Sequence, residues 1–249
     1  MTTQEEQLLI GIHAVTSALK TAAKDIVWLR IEENSSNKRL RELESRAYGS
    51  GVEVIHCGVA ELDDLSGKQR HQGVVACFMS GNIKTEAQLQ SVLEAIEGMP
   101  LLLVLDGVQD PQNLGACLRT AEAAGVHLVV ISKDRSCGIT PVVRKAASGA
   151  AETLTIIPAT NMARMLRALK TYGFWLAGTS DTAEHSLYET DLAGPLALVM
   201  GSEGKGLRRL TAELCDYLVS IPMSGMVESL NVSVATGVCL YEIVRQRQT

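Results

Sequence analysis

The spacing of hydrophobic and polar positions changes near residue 100. Before that point the chain shows a helical stretch, an alternating strand, a charged helix and two further strands: GIHAVTSALKTA, DIVWLRIEE, NKRLRELESRAYG, VEVIHC and GVVACF. These elements predict a small α/β domain over residues 1–79. Residues 80–100 begin with polar positions and end in Gly98 and Pro100, which predicts a linker carrying a short helix.

Beyond Pro100 the strands become short runs that are apolar on both faces: LLLVLDGV, HLVVIS, TLTIIP, FWLAGTS, LALVMGSEG and YLVSIPM. Such runs are typical of central strands in a mainly parallel sheet covered by helices, so residues 101–249 predict a second, larger α/β domain. We expect Asn113 and Asn161 to cap two of its helices, which end near Gly125 and Gly173. Ligands of such a sheet bind at the carboxyl ends of its strands.

Composition limits the class of protein. With 46% hydrophobic residues in 249, the chain has ample material for a core, and a net charge of −5 argues against coating nucleic acid by bulk charge. Six cysteines without CxxC spacing indicate buried free thiols and neither a zinc site nor a disulfide scaffold. Without a signal-peptide pattern or an apolar run of roughly 18 residues, we expect a cytoplasmic protein that has no membrane span and no metal.

Two of the strand-exit loops place polar side chains before helices. In DPQNLGACLRTAEAAG, after the strand that ends at Asp106, Arg119 follows Asn113 by six residues, so both are expected to border one cleft. The pattern fits a capped helix with a solvated arginine equally well. In IPMSGMVESLNVSVATG, Ser229 is expected to cap the last helix, and Asn231 then needs a partner of its own.

A third loop, LALVMGSEGKGLRRL, carries Gly201, Gly204 and Gly206 between a strand and a helix. Glycines allow a backbone to approach a ligand closely, but the spacing is neither GxGxxG nor GxxxxGK[ST]. This excludes the usual dinucleotide and triphosphate fingerprints, and with them a nicotinamide-dependent oxidoreductase. Glu203 in this loop fits a simple helix-start carboxylate. Three such loops from one sheet predict one composite pocket.

Taken together, DPQNLGACLRTAEAAG, VMGSEGKGL and IPMSGMVESLNVSVATG resemble, in order and spacing, the three signature motifs of the SPOUT-class, TrmH-type RNA ribose 2′-O-methyltransferases, across residues 100–247. GIHAV near the start and HQGVVA at 71–76 further resemble the subgroup that methylates a guanosine in the P-loop of 23S ribosomal RNA. The resemblance implies S-adenosylmethionine as methyl donor and 23S RNA or an early large-subunit particle as substrate. It also implies a homodimer formed through the C-terminal domain, a deep trefoil knot in that domain, and an N-terminal RNA-binding domain similar to ribosomal-protein folds.

The resemblance also assigns site residues. The catalytic positions are Arg119, Asn113, Glu203, Ser229 and Asn231, and those expected beside the cofactor are Gly201, Ile221, Leu230, Met223 and Thr179. Family accounts make Arg119 a base. Because a guanidinium has a pKa above roughly 12, we expect Arg119 instead to bind a phosphate and stabilise the forming 2′-oxyanion. Glu203 is expected to position Arg119 or the loop backbone.

Local positive charge suggests further RNA contacts at Lys133, Arg135, Arg144, Lys145, Lys205, Arg208 and Arg209, each of which also fits an ordinary solvated charge. His71 fits an internally bonded strand histidine as well as an RNA contact. Two other functions remain open: a transfer-RNA ribose 2′-O-methyltransferase of the same class, and a non-catalytic ribosome-assembly factor.

Overall fold

The computed structural model of the chain describes residues 6–21, 23–79, 83–204 and 206–248. The chain divides into two compact units, Met1–Gly81 and Asn82–Thr249. None of the described helices combines the length and the apolar character needed to cross a membrane.

Within its described residues, the first unit consists of a four-stranded sheet and three α-helices. Its elements in chain order are β1 (Glu6–Ile10), α1 (Ile12–Thr21), a 3₁₀ turn (Ala23–Asp25), β2 (Ile26–Glu32), α2 (Lys38–Gly49), β3 (Val54–Cys57), α3 (Val59–Ser66) and β4 (Val74–Met79). The strand order is β1-β4-β2-β3, with β4 antiparallel to both neighbours and β2 parallel to β3. Strand β1 and helix α3 were not among the elements predicted from the sequence.

The second unit is built on a seven-stranded sheet. Its elements are a 3₁₀ turn (Glu86–Gln88), α4 (Leu89–Glu94), β5 (Leu101–Leu105), α5 (Pro111–Ala123), β6 (Leu128–Ser132), α6 (Pro141–Ala147), α7 (Ala150–Thr153), β7 (Thr155–Ala159), α8 (Met162–Thr171), β8 (Trp175–Thr179), β9 (His185–Ser186), β10 (Leu196–Met200), α9 (Arg209–Leu214), β11 (Tyr217–Ser220) and α10 (Val232–Arg247).

All neighbouring strands of this sheet run parallel, in the order β7-β6-β5-β10-β8-β11-β9. Every residue of β5, β6 and β10 is buried, because helices cover both faces of these strands. The predicted mainly parallel sheet is therefore confirmed, and six of its seven strands lie in the six apolar runs.

The cap of helix α5 lies three residues before the one expected at Asn113. The N-cap is Asp110, whose carboxylate accepts a hydrogen bond from the Gln112 amide at 2.7 Å, and Pro111 occupies the first turn. Proline at this position loses no helical hydrogen bond and has a suitable φ, so Asp-Pro is the stronger start signal. The predicted cap was wrong, and the Asn113 side chain is left available for other contacts.

The two other predicted caps had different outcomes. Asn161 caps α8 as expected, accepting a hydrogen bond from the Arg164 amide at 3.0 Å. The cap of α10 is Asn231, which accepts from the Ser233 amide at 2.9 Å, so the expectation for Ser229 was wrong. An asparagine side chain can bond the backbone amide two residues further on and so close an Asx turn. Ser229 lies four residues before Ser233 and cannot make this turn.

Most of the stretch expected to be a linker belongs to the second unit and packs on its sheet. Ile83 forms a parallel bridge with β7, and Leu89 is buried among side chains of the main sheet. The carboxylate of Glu86 accepts hydrogen bonds from the Thr160 amide and the Arg164 guanidinium, both at 2.6 Å. The short helix α4 is therefore attached to the sheet, because its apolar side chains add to the sheet's core.

The last helix, α10, packs along α5 and covers β10. Near its end the Arg247 guanidinium donates hydrogen bonds to three backbone carbonyls, those of Met99 (3.0 Å), Pro100 (3.0 Å) and Gly194 (2.7 Å). These carbonyls belong to the segments that enter β5 and β10. One side chain thus ties the end of the chain to the amino-terminal edge of the two central strands.

Candidate active site

Three neighbouring strands of the main sheet end side by side and deliver three of the five predicted cofactor residues. Thr179 is the last residue of β8, Gly201 follows β10 and Ile221 follows β11. The strands are in register, since Thr179 pairs with Val219 and its hydroxyl donates to the Met200 sulfur at 3.6 Å. The carboxyl edge of β10, β8 and β11 is the place where such a sheet binds ligands.

The loop after β10 needs glycine at Gly201. A Cβ there would lie 2.1 Å from the carbonyl carbon of Gly206, because the loop folds back on itself. Ser202 and Gly206 exchange two backbone hydrogen bonds of 3.0 Å, and Gly204 and Gly206 adopt positive φ. Glycine is the residue that takes this conformation without strain. Lys205, predicted to contact RNA, lies outside the described residues.

The other two predicted cofactor residues, Met223 and Leu230, lie with Ile221 in the loop between β11 and α10. Ile221 is half-buried against the core, and Met223 and Leu230 are also half-buried, so each keeps an apolar surface that faces outward. Met226 and Val227 in the same loop are exposed. The edge of three strands and this loop together present apolar side chains beside backbone polar groups.

The three loops are joined by a relay of side-chain hydrogen bonds. The Asn113 amide donates to Glu203 Oε1, and Asn113 Oδ1 accepts from Asn231 Nδ2 at 3.0 Å. Asn231 Oδ1 in turn accepts from the Ser233 amide at 2.9 Å and the Ser233 hydroxyl at 2.6 Å. Three of the five predicted catalytic residues are therefore in direct contact. Ser233 is a fourth member that the sequence did not indicate.

Chemistry at its two ends sets the direction of the relay. The ionised carboxylate of Glu203 only accepts hydrogen bonds, and the backbone N–H of Ser233 only donates. Each asparagine between them must therefore present its NH₂ toward Glu203 and its oxygen toward Ser233. The structure pairs Glu203 with Asn113, whereas the sequence had suggested Arg119 or backbone as its partner. The relay holds the loops after β5, β10 and β11 in one arrangement.

A cleft of about 560 Å³ opens beside the relay, on the β5 side of β10. Its walls come from the loops after β5, β6 and β10: Gly107, Gln109, Arg135, Ser202, Glu203, Gly206, Leu207, Arg208 and Arg209. None of the five predicted cofactor contacts is among the described residues that line this cleft. Glu203 belongs both to this cleft and to the relay, so the cleft borders the predicted catalytic residues.

The family follows from comparison with known proteins. A model of the SpoU rRNA Methylase family matches residues 100–241, which hold all three loops. The chain belongs to the SpoU rRNA methylase family. A second model, described as RNA 2′-O ribose methyltransferase substrate binding, matches residues 8–80.

Relatives of this SpoU methylase extend over its full length. A Ralstonia nicotianae protein named 23S rRNA (guanosine-2′-O-)-methyltransferase RlmB is 54% identical over 98% of this chain and 97% of its own. A Xanthomonas campestris protein of the same name is 49% identical over 98% of each. The crystal structure of the SpoU methyltransferase AviRb from Streptomyces viridochromogenes, in complex with AdoMet, superposes with a TM-score of 0.72 at 24% identity and covers 98% of this chain and 91% of its own. That likeness shows the fold.

Two predicted catalytic residues of the SpoU methylase stand apart from the relay. Arg119 lies on the exposed side of α5, and Ser229 is exposed in the loop before α10. Within the described part of the chain, the side chains of Arg119 and Ser229 have no hydrogen-bond or ion-pair partner. The Arg119 guanidinium is accordingly available to an external anion.

The described basic residues proposed as RNA contacts of the SpoU methylase separate into three groups. Arg135, Arg208 and Arg209 line the cleft, and Lys133 and Lys145 are exposed. Arg144 is only 9% exposed and donates to Glu152 at 2.7 Å, so the expectation that it contacts RNA was wrong. A buried guanidinium must be paired with a carboxylate, and α7 supplies one to α6.

His71 follows the internally bonded alternative more closely. Its ring is 12% exposed, its Nδ1 accepts a hydrogen bond from the Gly73 amide at 3.0 Å, and its Nε2 lies 3.3 Å from Asp63. The histidine thereby holds the turn that leads into β4.

The cysteines of the SpoU methylase are free thiols, and four of the six are buried. Burial raises the pKa of Cys117, beneath the relay on α5, to about 11, and that of Cys239 on α10 to about 12. Thiols with such pKa values hold their protons at neutral pH and do not serve as nucleophiles.

Proposed function

We propose that this SpoU methylase transfers a methyl group from S-adenosylmethionine to the ribose 2′-hydroxyl of a guanosine in 23S ribosomal RNA, in the P-loop of the peptidyl-transferase centre. The observation that carries the proposal is the relay from Glu203 through Asn113 to Asn231. It joins residues of all three motif loops beside a cleft and a glycine-rich strand end. The names of the full-length relatives support the substrate. Such an enzyme acts in the cytoplasm, where ribosomal RNA is assembled.

The residues at the carboxyl ends of β8, β10 and β11 suit this cofactor. Half-buried Ile221, Met223 and Leu230 offer apolar surface for an adenine ring, and the loop that only glycine permits at Gly201 presents its backbone to polar groups. Thr179 adds a hydroxyl at the same edge. When bound there, S-adenosylmethionine supplies an activated methyl group that an oxygen nucleophile can accept.

The chain's own residues then orient the ribose and stabilise charge. A sugar hydroxyl is a weak nucleophile at neutral pH, so the site must favour its oxyanion. Arg119, exposed and without an internal partner among the described residues, binds the phosphate next to the target ribose and stabilises the developing negative oxygen. The hydroxyl proton leaves through a phosphate oxygen or a water. Asn113, Asn231 and Ser229 orient the ribose or the cofactor, and Glu203 fixes the orientation of Asn113.

The substitution Arg119→Lys separates this role from that of a base. An oxyanion-stabilising arginine is planar and presents several donors, so lysine should lower the rate at every pH. If Arg119 acted by losing its proton, lysine, whose pKa is lower, would react faster than arginine as the pH rises. Single-turnover methylation between pH 7 and 10 distinguishes the two.

The proposal includes a homodimer formed through the C-terminal domain. Helix α10 buries one face against the core and exposes Val234 and Tyr241, with Val238 half-buried between them at helical spacing. Exposed Met226 and Val227 extend this apolar surface into the preceding loop. A second copy of the chain would cover it.

A trefoil knot and an RNA-binding N-terminal unit complete the proposal. Strand β11 lies outside β8 in the sheet, whereas the next helix, α10, packs beside α5, so the chain after β11 crosses back over the ends of β8 and β10. This crossing supports a knot. The substrate-binding model that matches residues 8–80 supports RNA binding by the first unit. A crystal structure with a continuous trace from β8 to α10 tests the knot.

The substrate is tested by methyl transfer from radiolabelled S-adenosylmethionine to unmodified 23S RNA, to transfer RNA and to an early large-subunit particle. Label on 23S RNA or the particle supports the proposal. Label on transfer RNA alone would assign the related tRNA function instead. Cofactor binding without label on any RNA would indicate an assembly factor that does not catalyse.

A further inference from the structure

A buried carboxylate lies under the cleft and takes no part in the relay. Asp106, at the end of β5, has no exposed side-chain surface. It accepts hydrogen bonds from the hydroxyls of Thr211 at 2.7 Å and Ser132 at 3.1 Å. Its third partner is the Arg208 guanidinium, with Nη1 3.4 Å from Oδ1. Two neutral hydroxyls leave a buried negative charge uncompensated, so Arg208 is held at this place by electrostatics.

The other side of Arg208 is open to the cleft. Its side chain is 42% exposed, and it lines the cleft together with Arg135 and Arg209. Gly107 gives the guanidinium room, since a Cβ there would lie 3.2 Å from Nη2. Gly107 also has a φ of +90°, which disfavours any other residue. Asp106 therefore fixes the position of the Arg208 guanidinium, and the outer edge of that guanidinium faces solvent.

We propose that the Arg208 guanidinium, positioned by Asp106, binds a backbone phosphate of the RNA substrate in this cleft. The inference rests on the proposed function and adds a substrate contact beyond the three motifs. Two segments supply the three arginines, with Arg135 after β6 and the adjacent Arg208 and Arg209 at the start of α9. Such a group suits an extended polyanion better than a single small anion, and arginine matches phosphate geometry with paired donors. The expected cofactor residues lie outside this cleft, which favours RNA over the cofactor carboxylate.

The first test is the salt dependence of RNA binding. An unmodified 23S RNA fragment containing the P-loop is titrated with full-length protein at several salt concentrations, with S-adenosylhomocysteine present. We expect Arg208→Gln to weaken binding roughly tenfold near physiological salt. The slope of log affinity against log salt should fall by ~0.7–0.9, the contribution of one phosphate. Arg208→Lys, which keeps the charge, should regain the slope.

The matched control is Arg167→Gln on α8. It removes one exposed arginine outside the cleft with the same change in net charge, so the slope should stay at its wild-type value. If Arg208→Gln lowers thermal stability while RNA affinity and slope stay unchanged, Arg208 only neutralises Asp106 and the proposal is overturned. If its affinity for S-adenosylmethionine falls instead, the cleft holds the cofactor carboxylate, which also overturns it.

A double-mutant cycle tests the positioning role of Asp106. Asp106→Asn keeps the side-chain volume and should weaken RNA binding while cofactor affinity is unchanged. Combined with Arg208→Gln it should add no further loss, because Asp106 acts through Arg208. Additive losses would show that Asp106 affects RNA by another route. Wild-type protein that binds neither 23S RNA nor the early large-subunit particle would refute the proposed function, a result distinct from wild-type binding that Arg208→Gln leaves intact.

Discussion

Asn113 and Glu203 lie 90 residues apart in the sequence, and the side-chain amide of Asn113 donates a hydrogen bond to Glu203. Asn113 also accepts from Asn231, 118 residues further along. Because the network lies at the surface, its hydrogen bonds exchange with water and add little stability. Its effect is to hold three loops in register, and for a positioning mechanism that register governs the rate.

Substitution of Asn113 should therefore affect catalysis more than folding. In Asn113→Ala the relay loses both of its central hydrogen bonds, and we expect kcat to fall roughly a hundredfold while the melting temperature changes little. In Asn113→Asp a second carboxylate faces Glu203. At neutral pH the affinity for RNA and kcat should therefore fall further than in the alanine variant. Equal kcat values for wild type and Asn113→Ala would contradict a positioning role.

Replacement of Gly201 by alanine should remove cofactor binding. Its Cβ would meet Gly206 at 2.1 Å, so the loop must open. Gly194→Ala is the control, since no atom lies within 4 Å of its Cβ position. Calorimetric titration with S-adenosylmethionine should give loss for the first variant and wild-type affinity for the second. Unchanged affinity in both would remove this loop from the cofactor site.

The contact between Glu86 and α8 should make stability depend on pH. Burial raises the pKa of Glu86, but hydrogen bonds from the Thr160 amide and the Arg164 guanidinium outweigh it and lower the pKa below its usual value of 4.5. A carboxyl with a depressed folded pKa stabilises the protein above the unfolded pKa, and this contribution is lost as the pH falls through the folded value.

Glu86→Gln should then cost roughly 1 kcal/mol at pH 7, and the difference from wild type should shrink below about pH 4.5. Urea unfolding between pH 3.5 and 7 measures it. A difference that is constant over this range would mean that the charge of Glu86 contributes nothing.

The end of α10 should depend on Arg247. Arg247→Ala leaves three carbonyls without their donor, and we expect a loss of about 2–3 kcal/mol in the free energy of unfolding. Arg247→Lys keeps the charge but cannot span all three carbonyls, so its loss should be smaller but present. Urea midpoints identical to wild type for both variants would show that α10 is held by its apolar contacts alone.

The proposed dimer predicts a specific effect of charge on α10. Val234→Glu, at a side chain that is 52% exposed, should be tolerated by an isolated chain but should disrupt a second copy docked there. Analytical ultracentrifugation should then show monomers of unchanged helical content. A dimer that persists in Val234→Glu would place the interface elsewhere.

The parallel sheet was readable from the sequence because buried central strands are continuous apolar runs, which is a local signal. Strand β1 and helix α3 were missed because they are short. EQLLI does not alternate polar and apolar positions, and VAELDDLS spans only about two helical turns. The caps at Asn113 and Ser229 were misplaced by two to three residues, in both cases because a neighbouring residue had the better geometry. Such choices depend on which amide the side chain reaches.

The site was only partly predictable. The motifs indicated Asn113, Glu203 and Asn231, yet no spacing rule reveals that their side chains meet, because the contacts span 90 and 118 residues and require the whole sheet. The pairing of Asp106 with Arg208 was hidden for the same reason. One indication of this pair is visible in the sequence: Asp106 directly follows a fully apolar strand, and a buried carboxylate needs a partner.

The most direct test of the account is to map ribose methylation on 23S RNA after reaction with wild-type protein and with Arg119→Ala. The account predicts one 2′-O-methylguanosine in the P-loop with wild type, and its loss in the variant although S-adenosylmethionine still binds. Methylation of a base, of another RNA alone, or at the wild-type rate in Arg119→Ala would contradict it.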